Sequence, residues 1–274
     1  MDVTKVEIPG IENIRLPRMT KIRQKISNSY IEDIPLAVRE EIQKINSKNK
    51  IARGKKVAIT AGSRGIDRIA EVIKAVVDEV KLLGGEPFIV PTMGSHGGGD
   101  AQAQKEILEN YGITEEKIGV PILSSMEVIK IGETGSGIPI YVDKNALSAD
   151  LIIVVNRVKV HTDFAGDIES GLMKMMAIGL GKHKGASAIH EYGFDEFHKI
   201  IPEIGLKIIE KIPICFGIAL IENGYHKLCE IRAIDPEQIY EVEKELLKKY
   251  KQLMPRIPFE SIDILVVDEI GKDI

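Results

Sequence analysis

Unbroken apolar segments that alternate with amphipathic ones limit how this chain can fold more than any other feature of its sequence. Residues 150–158 (DLIIVVNRV) and 214–222 (ICFGIALIE) lack polar alternation, as expected of strands that are covered on both faces. Between residues 67 and 85, apolar side chains recur at helical spacing until Gly84 and Gly85 end the pattern. The alternation predicts an α/β fold in which a mostly parallel sheet carries helices on both faces, a Rossmann-like layered domain.

The pattern divides the whole chain, residues 1–274, into the strands and helices of a single α/β domain. The predicted strands are 55–60, 87–92, 150–158, 214–222 and 263–271, and the predicted helices are 35–48, 67–85, 100–112, 195–212 and 236–253. No predicted helix follows the last strand before Ile274. We therefore expect either that this strand lies at an edge of the sheet or that the chain is the N-terminal catalytic domain of a longer two-domain protein.

Composition argues against several classes of partner and site. A formal net charge of −4 over 274 residues gives no support for binding to nucleic acid or to a membrane surface. The N-terminus has no signal-peptide pattern, and no apolar run reaches the ~18–20 residues that cross a bilayer, so we expect a cytoplasmic protein. Cys215 and Cys229 lack the C-x-x-C spacing, which favours free thiols over a zinc site or a disulfide.

Polar side chains follow three of the predicted strands. Ser63 and Arg64 follow the first strand, His96 follows the second in a loop with four glycines, and Lys159 and His161 follow the third. Any one of these side chains could be a solvated or structural residue. However, the carboxyl ends of parallel strands share one edge of a sheet, where ligands bind, and glycine loops supply backbone donors for anions. The coincidence predicts a binding site at this edge.

The segment 171–190 (GLMKMMAIGLGKHKGASAIH) does not match the common nucleotide or zinc motifs. Met176 stands where a P-loop needs glycine, and His183 stands where it needs the Ser/Thr that holds magnesium. The chain also contains no helix-opening G-x-G-x-x-G, no H-E-x-x-H and no G-x-S-x-G. Taken alone, Lys174 could be a lysine that snorkels from an apolar helix, and the methionines are expected to fill the core. Lys182 and Lys184 are either solvated or bind a phosphate.

Four motifs, in order along residues 55–200, resemble those of the nickel-pincer lactate racemase family. Ser63-Arg64 resembles the Thr/Ser-Arg turn after the first strand of that family, and PTMGSHG resembles its loop with a Thr-His pair. HTDFAG resembles its His…Phe-Ala-Gly loop. The segment 171–190 resembles its Gly-Gly-x-Lys…His element, and Lys174 and His190 stand at the family's interval of sixteen positions (190 − 174).

The chain also departs from the family pattern at three points. Ala61 stands where the family has an aspartate, and Gly97 stands where it has an arginine after the loop histidine. The interval between His161 and Lys174 is thirteen positions (174 − 161), about three longer than in the family. These departures bear on which substrate is bound.

The resemblance implies a cofactor site. Lys174 would be the covalent anchor of a pyridinium-3,5-bisthiocarboxylic acid mononucleotide, the nickel-pincer nucleotide. His190 would be the remaining ligand of its nickel, since imidazole suits that metal. Ser63 and Arg64 would contact the cofactor, and the planar guanidinium of Arg64 would bind either the cofactor phosphate or the substrate carboxylate.

The resemblance further implies a racemase or epimerase of lactate or a related 2-hydroxy acid. Removing the α-proton beside a carboxylate is very unfavourable, whereas hydride transfer to the cofactor avoids a carbanion. His96 and His161 would face each other across the substrate as the acid/base pair, because imidazole titrates near neutral pH. In the family, a second domain adds a substrate-binding lysine. The alternative is a non-catalytic α/β domain that binds a phosphorylated metabolite or nucleotide through its glycine-rich loops.

Overall fold

The fold is built on a five-stranded sheet, in a computed structural model that describes residues 15 and 18–269. The strands are β1 (Lys56–Ala61), β2 (Glu86–Pro91), β3 (Val128–Glu133), β4 (Pro139–Asp143), β5 (Leu151–Arg157), β6 (Ile214–Glu222) and β7 (Leu228–Ile234). The main sheet has the order β2-β1-β5-β6-β7, in which β7 is antiparallel to β6 and the other neighbours are parallel. Strands β3 and β4 form a separate antiparallel pair.

Helices cover both faces of the main sheet. The α-helices are α1 (Ile34–Lys44), α2 (Ile69–Leu82), α3 (Ala101–Asn110), α4 (Glu115–Ile118), α5 (Lys144–Leu147), α6 (Leu172–Lys174), α7 (Lys182–His190), α8 (Phe197–Lys211) and α9 (Ile239–Leu253). Buried side chains of α1 and α2 belong to one hydrophobic core, and those of α6, α8 and α9 belong to the other. The predicted α/β class is therefore confirmed. None of the described helices has the length and apolarity that crossing a membrane requires.

Alternation along the strands explains why two cores form. In β1, Val57 and Ile59 face the core under α1 and α2, while Ala58 faces the core under α8 and α9. In β6, Phe216 faces the first core and Ala219 the second, so the strand is buried along its whole length. Apolar residues on both sides of a strand require a layer of helices on each face, as the unbroken apolar segments predict.

Most of the predicted elements are present, with ends that differ by a few residues. Strands β1, β2, β5 and β6 and helices α1, α2, α3, α8 and α9 correspond to the predicted segments. The largest difference is at the end of α1. That helix stops at Lys44 because Ile45 is extended (φ −92°, ψ 151°), and a 3-10 turn at Ser47–Lys50 follows.

The predicted strand 263–271 is wrong over its described part, residues 263–269. These residues form no strand, and Ile264 and Val266 are each 84% exposed. The apolar composition of the segment resembles that of β6, but a strand also needs a neighbour to accept and donate its backbone hydrogen bonds. Within the described part of the chain, this segment has no such neighbour. Residues 270 and 271 lie outside the described residues.

The sequence patterns do not predict two antiparallel elements, strand β7 and the β3–β4 pair. Strand β7 follows β6 through Asn223-Gly224, a pair that is typical of hairpin turns. The Asn223 side chain holds this turn, because its Oδ1 accepts the N–H groups of Tyr225 and Lys227 at 2.9 and 3.1 Å. The β3–β4 pair is largely solvent-exposed on β3, so its sequence lacks the apolar run that marks the strands of the main sheet.

We expect the buried face of α8 to be far more sensitive to truncation than its exposed face. Ile204 is 1% exposed and packs in the second core, whereas Leu206, on the same helix, is 47% exposed. Ile204→Ala should lower the free energy of unfolding by about 2–5 kcal/mol because it leaves a cavity, and Leu206→Ala by less than about 1 kcal/mol. Urea denaturation would measure both values. Equal losses in the two variants would contradict this packing.

Candidate functional site

Three neighbouring strands bring the predicted site residues to one edge of the sheet. Strands β2, β1 and β5 are adjacent and parallel, so the loops that follow them leave the sheet at the same edge. Backbone pairing of β1 with β5 ends at Ile59 and Ile153. Beyond that pair, Oγ1 of Thr60 accepts the N–H of Val155 at 2.9 Å. A side-chain bond thus replaces the backbone ladder where the two strands reach the site.

One cavity of about 290 Å³ lies at this edge. All the predicted site residues line it, namely Ser63, Arg64, His96, His161, Lys174 and His190. The cavity wall also includes Asn156, Arg157, Lys159, Asp163, Met175 and Phe194. The structure therefore brings together predicted site residues that are up to 127 positions apart in the sequence (190 − 63).

The loop that carries His96 has a left-handed turn and a buried support. Gly97, which stands where the family has arginine, has φ +64°, and a Cβ there would lie 3.2 Å from that of Ala103. Any side chain at this position would be strained. Beneath the loop, Nε2 of Gln104 donates to the backbone carbonyls of Gly94 and His96, each at 3.0 Å. Gln104 is fully buried, so this support is shielded from water.

Lys182 supports Gln104 and the end of β2, and it is not a phosphate ligand. Its side chain is fully buried, and its ammonium donates to the Pro91 carbonyl and lies 3.2 Å from both Oε1 of Gln104 and Oδ2 of Asp143. Burial lowers the pKa of Lys182 and raises the pKa of Asp143, while the attraction between them opposes both shifts. Breaking such a buried pair is strongly destabilising.

The segment 171–190 is two helices joined by a wider turn, and it is not a phosphate loop. Lys174 is the last residue of α6, and a π-helical turn at Met175–Gly179 follows it. After a bend at Lys182 (φ +53°), α7 continues to His190, its last residue. The methionines of the segment are buried in the second core, as predicted. Short π-helical segments are common at functional sites.

His161 lies on an aromatic cluster at the cavity wall. Its ring centroid is 4.4 Å from that of Phe164 and 6.1 Å from that of Phe194. His190 contacts the same cluster, at 5.5 Å from Phe194 and 5.0 Å from Phe197. The Lys174 ammonium is 5.9 Å from the centroid of Phe164. The amine and both imidazoles therefore share an apolar floor.

Hydrogen bonds place the proton on different nitrogens of the two candidate acid/base histidines. Nδ1 of His96 is 2.8 Å from the Met93 carbonyl, which can only accept, so this nitrogen carries a proton and Nε2 is the basic atom. In His161, Nδ1 accepts the backbone N–H of Asp163 at 3.1 Å. The neutral His161 ring therefore carries its proton on Nε2, and the two rings present opposite hydrogen-bonding groups.

Partial burial and a nearby cation lower the pKa of two of the imidazoles. Burial is the larger cause that lowers the pKa of His161 from 6.5 to about 4, and the positive charge of Lys174 adds to it. The same two causes, in the same order, lower the pKa of His190. A neutral imidazole is the form that accepts a proton or binds a metal.

Positive charge predominates around the cavity. Arg157, which the sequence analysis misses, pairs with the buried Glu222. The pKa of Lys159 is lowered first by burial and then by the charges of Arg157 and Arg64, so these cations lie close together. Because Arg157 follows Asn156 at the end of β5, the same strand-end argument that identified His161 could have found it. This excess of cations favours an anionic ligand.

The comparisons with known proteins agree with this geometry. A model of the lactate racemase N-terminal domain family matches residues 2–199. The chain belongs to this family. The matched range includes every residue that lines the cavity.

A solved structure extends the comparison to the fold. The lactate racemase apoprotein from Thermoanaerobacterium thermosaccharolyticum matches this chain with a TM-score of 0.62 at 15% sequence identity. The match covers 80% of this chain and 56% of that one, so the chain spans little more than half the length of this relative. A search of curated proteins gives no match.

Removing the Lys174 charge is expected to raise the pKa of His161 above about 4, because one of the two main causes of its depression disappears. Lys174→Met keeps the apolar stem and removes the ammonium. NMR titration of the His161 ring would measure the shift, and Lys184→Met, which removes an exposed lysine of the same segment, is the control. A wild-type His161 pKa near 6.5 would contradict this electrostatic environment.

Proposed function

We propose that this chain binds a nickel-pincer nucleotide at Lys174 and racemises or epimerises a 2-hydroxy acid, lactate or a related one. The observation that supports this proposal is the single cavity lined by Lys174, His190, His96 and His161. Membership of the lactate racemase N-terminal domain family adds support for this class of reaction.

The donor set suits a metal that receives most of its ligands from a bound group. Within the described part of the chain, no three His, Cys, Asp or Glu side chains converge on one point. His190 would therefore be the protein's ligand to nickel, and the sulfur donors of the cofactor would supply the others. Its lowered pKa suits this role, because only the neutral imidazole can bind a metal.

The cations of the cavity suit the anionic groups of both cofactor and substrate. Arg64 and Lys159 line the cavity, and no hydrogen bond or ion pair of either side chain is found within the residues the structure describes. The family's aspartate and arginine are replaced here by Ala61 and Gly97. We infer that Arg64 and Lys159 together bind the cofactor phosphate or the substrate carboxylate.

The two histidines suit complementary proton roles. When bound, the cofactor would accept hydride from the substrate α-carbon. The unprotonated Nε2 of His96 can take the hydroxyl proton, while Nε2–H of His161 can donate a hydrogen bond to the substrate oxygen. Attachment through the Lys174 amine would remove its positive charge. The pKa of His161 would then rise towards the range in which it can act as acid or base for the opposite enantiomer.

Replacing the anchor should abolish cofactor attachment. For protein loaded with the cofactor, we expect an adduct in the intact mass of the wild type and none in Lys174→Ala, which lacks the amine. Lys184→Ala is the matched control, because Lys184 is an exposed lysine of the same segment and should leave the adduct intact. An adduct of unchanged mass on Lys174→Ala would refute the anchor assignment.

Replacing His190, the proposed nickel ligand, should lower the nickel content without removing the nucleotide from Lys174. In His190→Ala the adduct on Lys174 should remain, while nickel measured by elemental analysis should fall well below one equivalent, as expected from loss of a ligand. His183→Ala, an exposed histidine of the same helix, should retain nickel. Full nickel occupancy in His190→Ala would contradict the assignment of His190 as a ligand.

Thermal stabilisation by phosphate compounds alone, without nickel or adduct in the wild type, would favour the alternative function, a non-catalytic binding domain.

A further inference from the structure

We propose that helix α9 positions two segments of the proposed active site. Glu243 of α9 holds the start of the helix that carries Lys174, and Lys251 of α9, acting through Glu169, holds the loop that carries His161. The proposal rests on the proposed function for what Lys174 and His161 do. The contacts that hold Lys174 and His161 in place are independent of that function. Helix α9, which makes them, lies beyond the part of the chain that the family model matches.

Glu243 supplies the cap that α6 lacks. The first N–H groups of a helix have no acceptor within the helix, and the preceding residue, Gly171, has no side chain to provide one. Oε2 of Glu243 accepts the N–H of Met173 at 3.0 Å. Glu243 is 1% exposed, so this hydrogen bond is shielded from water. Its other oxygen, Oε1, is buried without a hydrogen-bond partner within the described residues.

A buried glutamate with an unpartnered oxygen costs free energy, which the hydrogen bond that its other oxygen accepts offsets only in part. Burial raises the pKa of Glu243 to about 7, while the N–H groups of Met173 and Leu172 oppose that shift. These two N–H groups are thus the polar partners that this carboxyl has found. Both belong to the three-residue helix that ends at Lys174.

Gly171 makes this approach possible. A Cβ at that position would lie 2.1 Å from Oε1 of Glu243, far inside any allowed contact. On the other side, the Gly171 carbonyl accepts the Nδ2–H of Asn156 at 2.8 Å. The start of α6 is therefore held between the end of β5 and the middle of α9. Lys174 is the residue next to Met173, so a shift of Met173 would move the amine.

Lys251 acts on the second segment in a similar way. Its ammonium lies 2.7 Å from Oε1 of Glu169, a residue that is 2% exposed. Oε2 of Glu169 accepts the backbone N–H of His161 at 2.7 Å, and Oε1 accepts the N–H of Gly166 at 3.4 Å. Without Lys251, Glu169 would be a buried charge with no cation to balance it. Such a charge is unstable unless the side chain moves to water or binds a proton.

Amide hydrogen exchange of the apoprotein tests the cap directly. We expect the Met173 amide to exchange about tenfold faster in Glu243→Ala than in the wild type, while amides of β6 keep their protection. Glu243→Gln should restore most of the protection, because its side-chain oxygen can still accept the hydrogen bond. Glu245→Gln, which changes an exposed glutamate of the same helix, should have no effect. Unchanged Met173 exchange in Glu243→Ala would overturn the proposal.

A second variant keeps the test open should Glu243→Ala fail to fold. Gly171→Ala would force the Glu243 carboxyl away from α6, so we expect the same faster exchange at Met173 from a change on a different element. Wild-type protection of Met173 in a folded Gly171→Ala would count against the cap.

Cofactor attachment tests whether the cap positions Lys174. In a time course of adduct formation by intact mass, we expect Glu243→Ala and Gly171→Ala to load at least several-fold more slowly than wild type, and Glu243→Gln and Glu245→Gln to load close to the wild-type rate. Loading at the wild-type rate with lost Met173 protection would defeat the positioning role and leave the proposed function intact. The absence of an adduct on the wild type would defeat the proposed function, while the exchange result would still decide the cap.

The Lys251 contact has its own test. Lys251→Met should speed exchange of the His161 amide several-fold, and Lys248→Met, an exposed lysine of the same helix, should not. If the His161 amide exchanges equally in Lys251→Met and wild type, Lys251 does not hold this loop.

Discussion

The parallel adjacency of β2, β1 and β5 is the constraint on which the site depends. Each strand ends in a polar loop. Because the strands are parallel neighbours, the three loops leave the sheet at the same edge. The hydrogen bond between Thr60 and Val155 replaces backbone pairing beyond Ile59 and Ile153. Just past it, Gly62 and Asn156 line the cavity.

Around this opening the chain combines an apolar floor with a surplus of cations. Phe164, Phe194 and Phe197 pack against the imidazoles of His161 and His190, and both this partial burial and the ammonium of Lys174 lower the pKa of the two histidines. The cations that line the cavity repel one another, and Glu222, which pairs with Arg157, balances part of their charge. The remainder is available to an anionic ligand, which links ligand affinity to the stability of the site.

Sequence patterns identify the layers of this fold and part of the cavity wall, for different reasons, while Lys174 and His190 are identified by the family resemblance. The strands are predictable because burial on both faces demands continuous apolar residues, and the strand-end loops are predictable because topology places them. By contrast, β7 depends on a hairpin turn and on pairing with β6, and the segment 263–269 has the right composition but no pairing partner in the described chain. The supports beneath the site, Glu243 among them, read as ordinary amphipathic-helix residues, because burial of a single carboxylate leaves no periodic signal.

The bend at Lys182 has a consequence for the spacing of the two residues on either side of it. In a straight α-helix, sixteen residues span about 24 Å, and the last side chain points about 160° away from the first. Lys174 and His190 nevertheless line one cavity, and the π turn and the left-handed Lys182 interrupt the straight helix between them. The interval of sixteen positions therefore matters for the site. One residue inserted into α7 would rotate the His190 imidazole by about a quarter turn around the helix axis, away from the cavity that Lys174 lines.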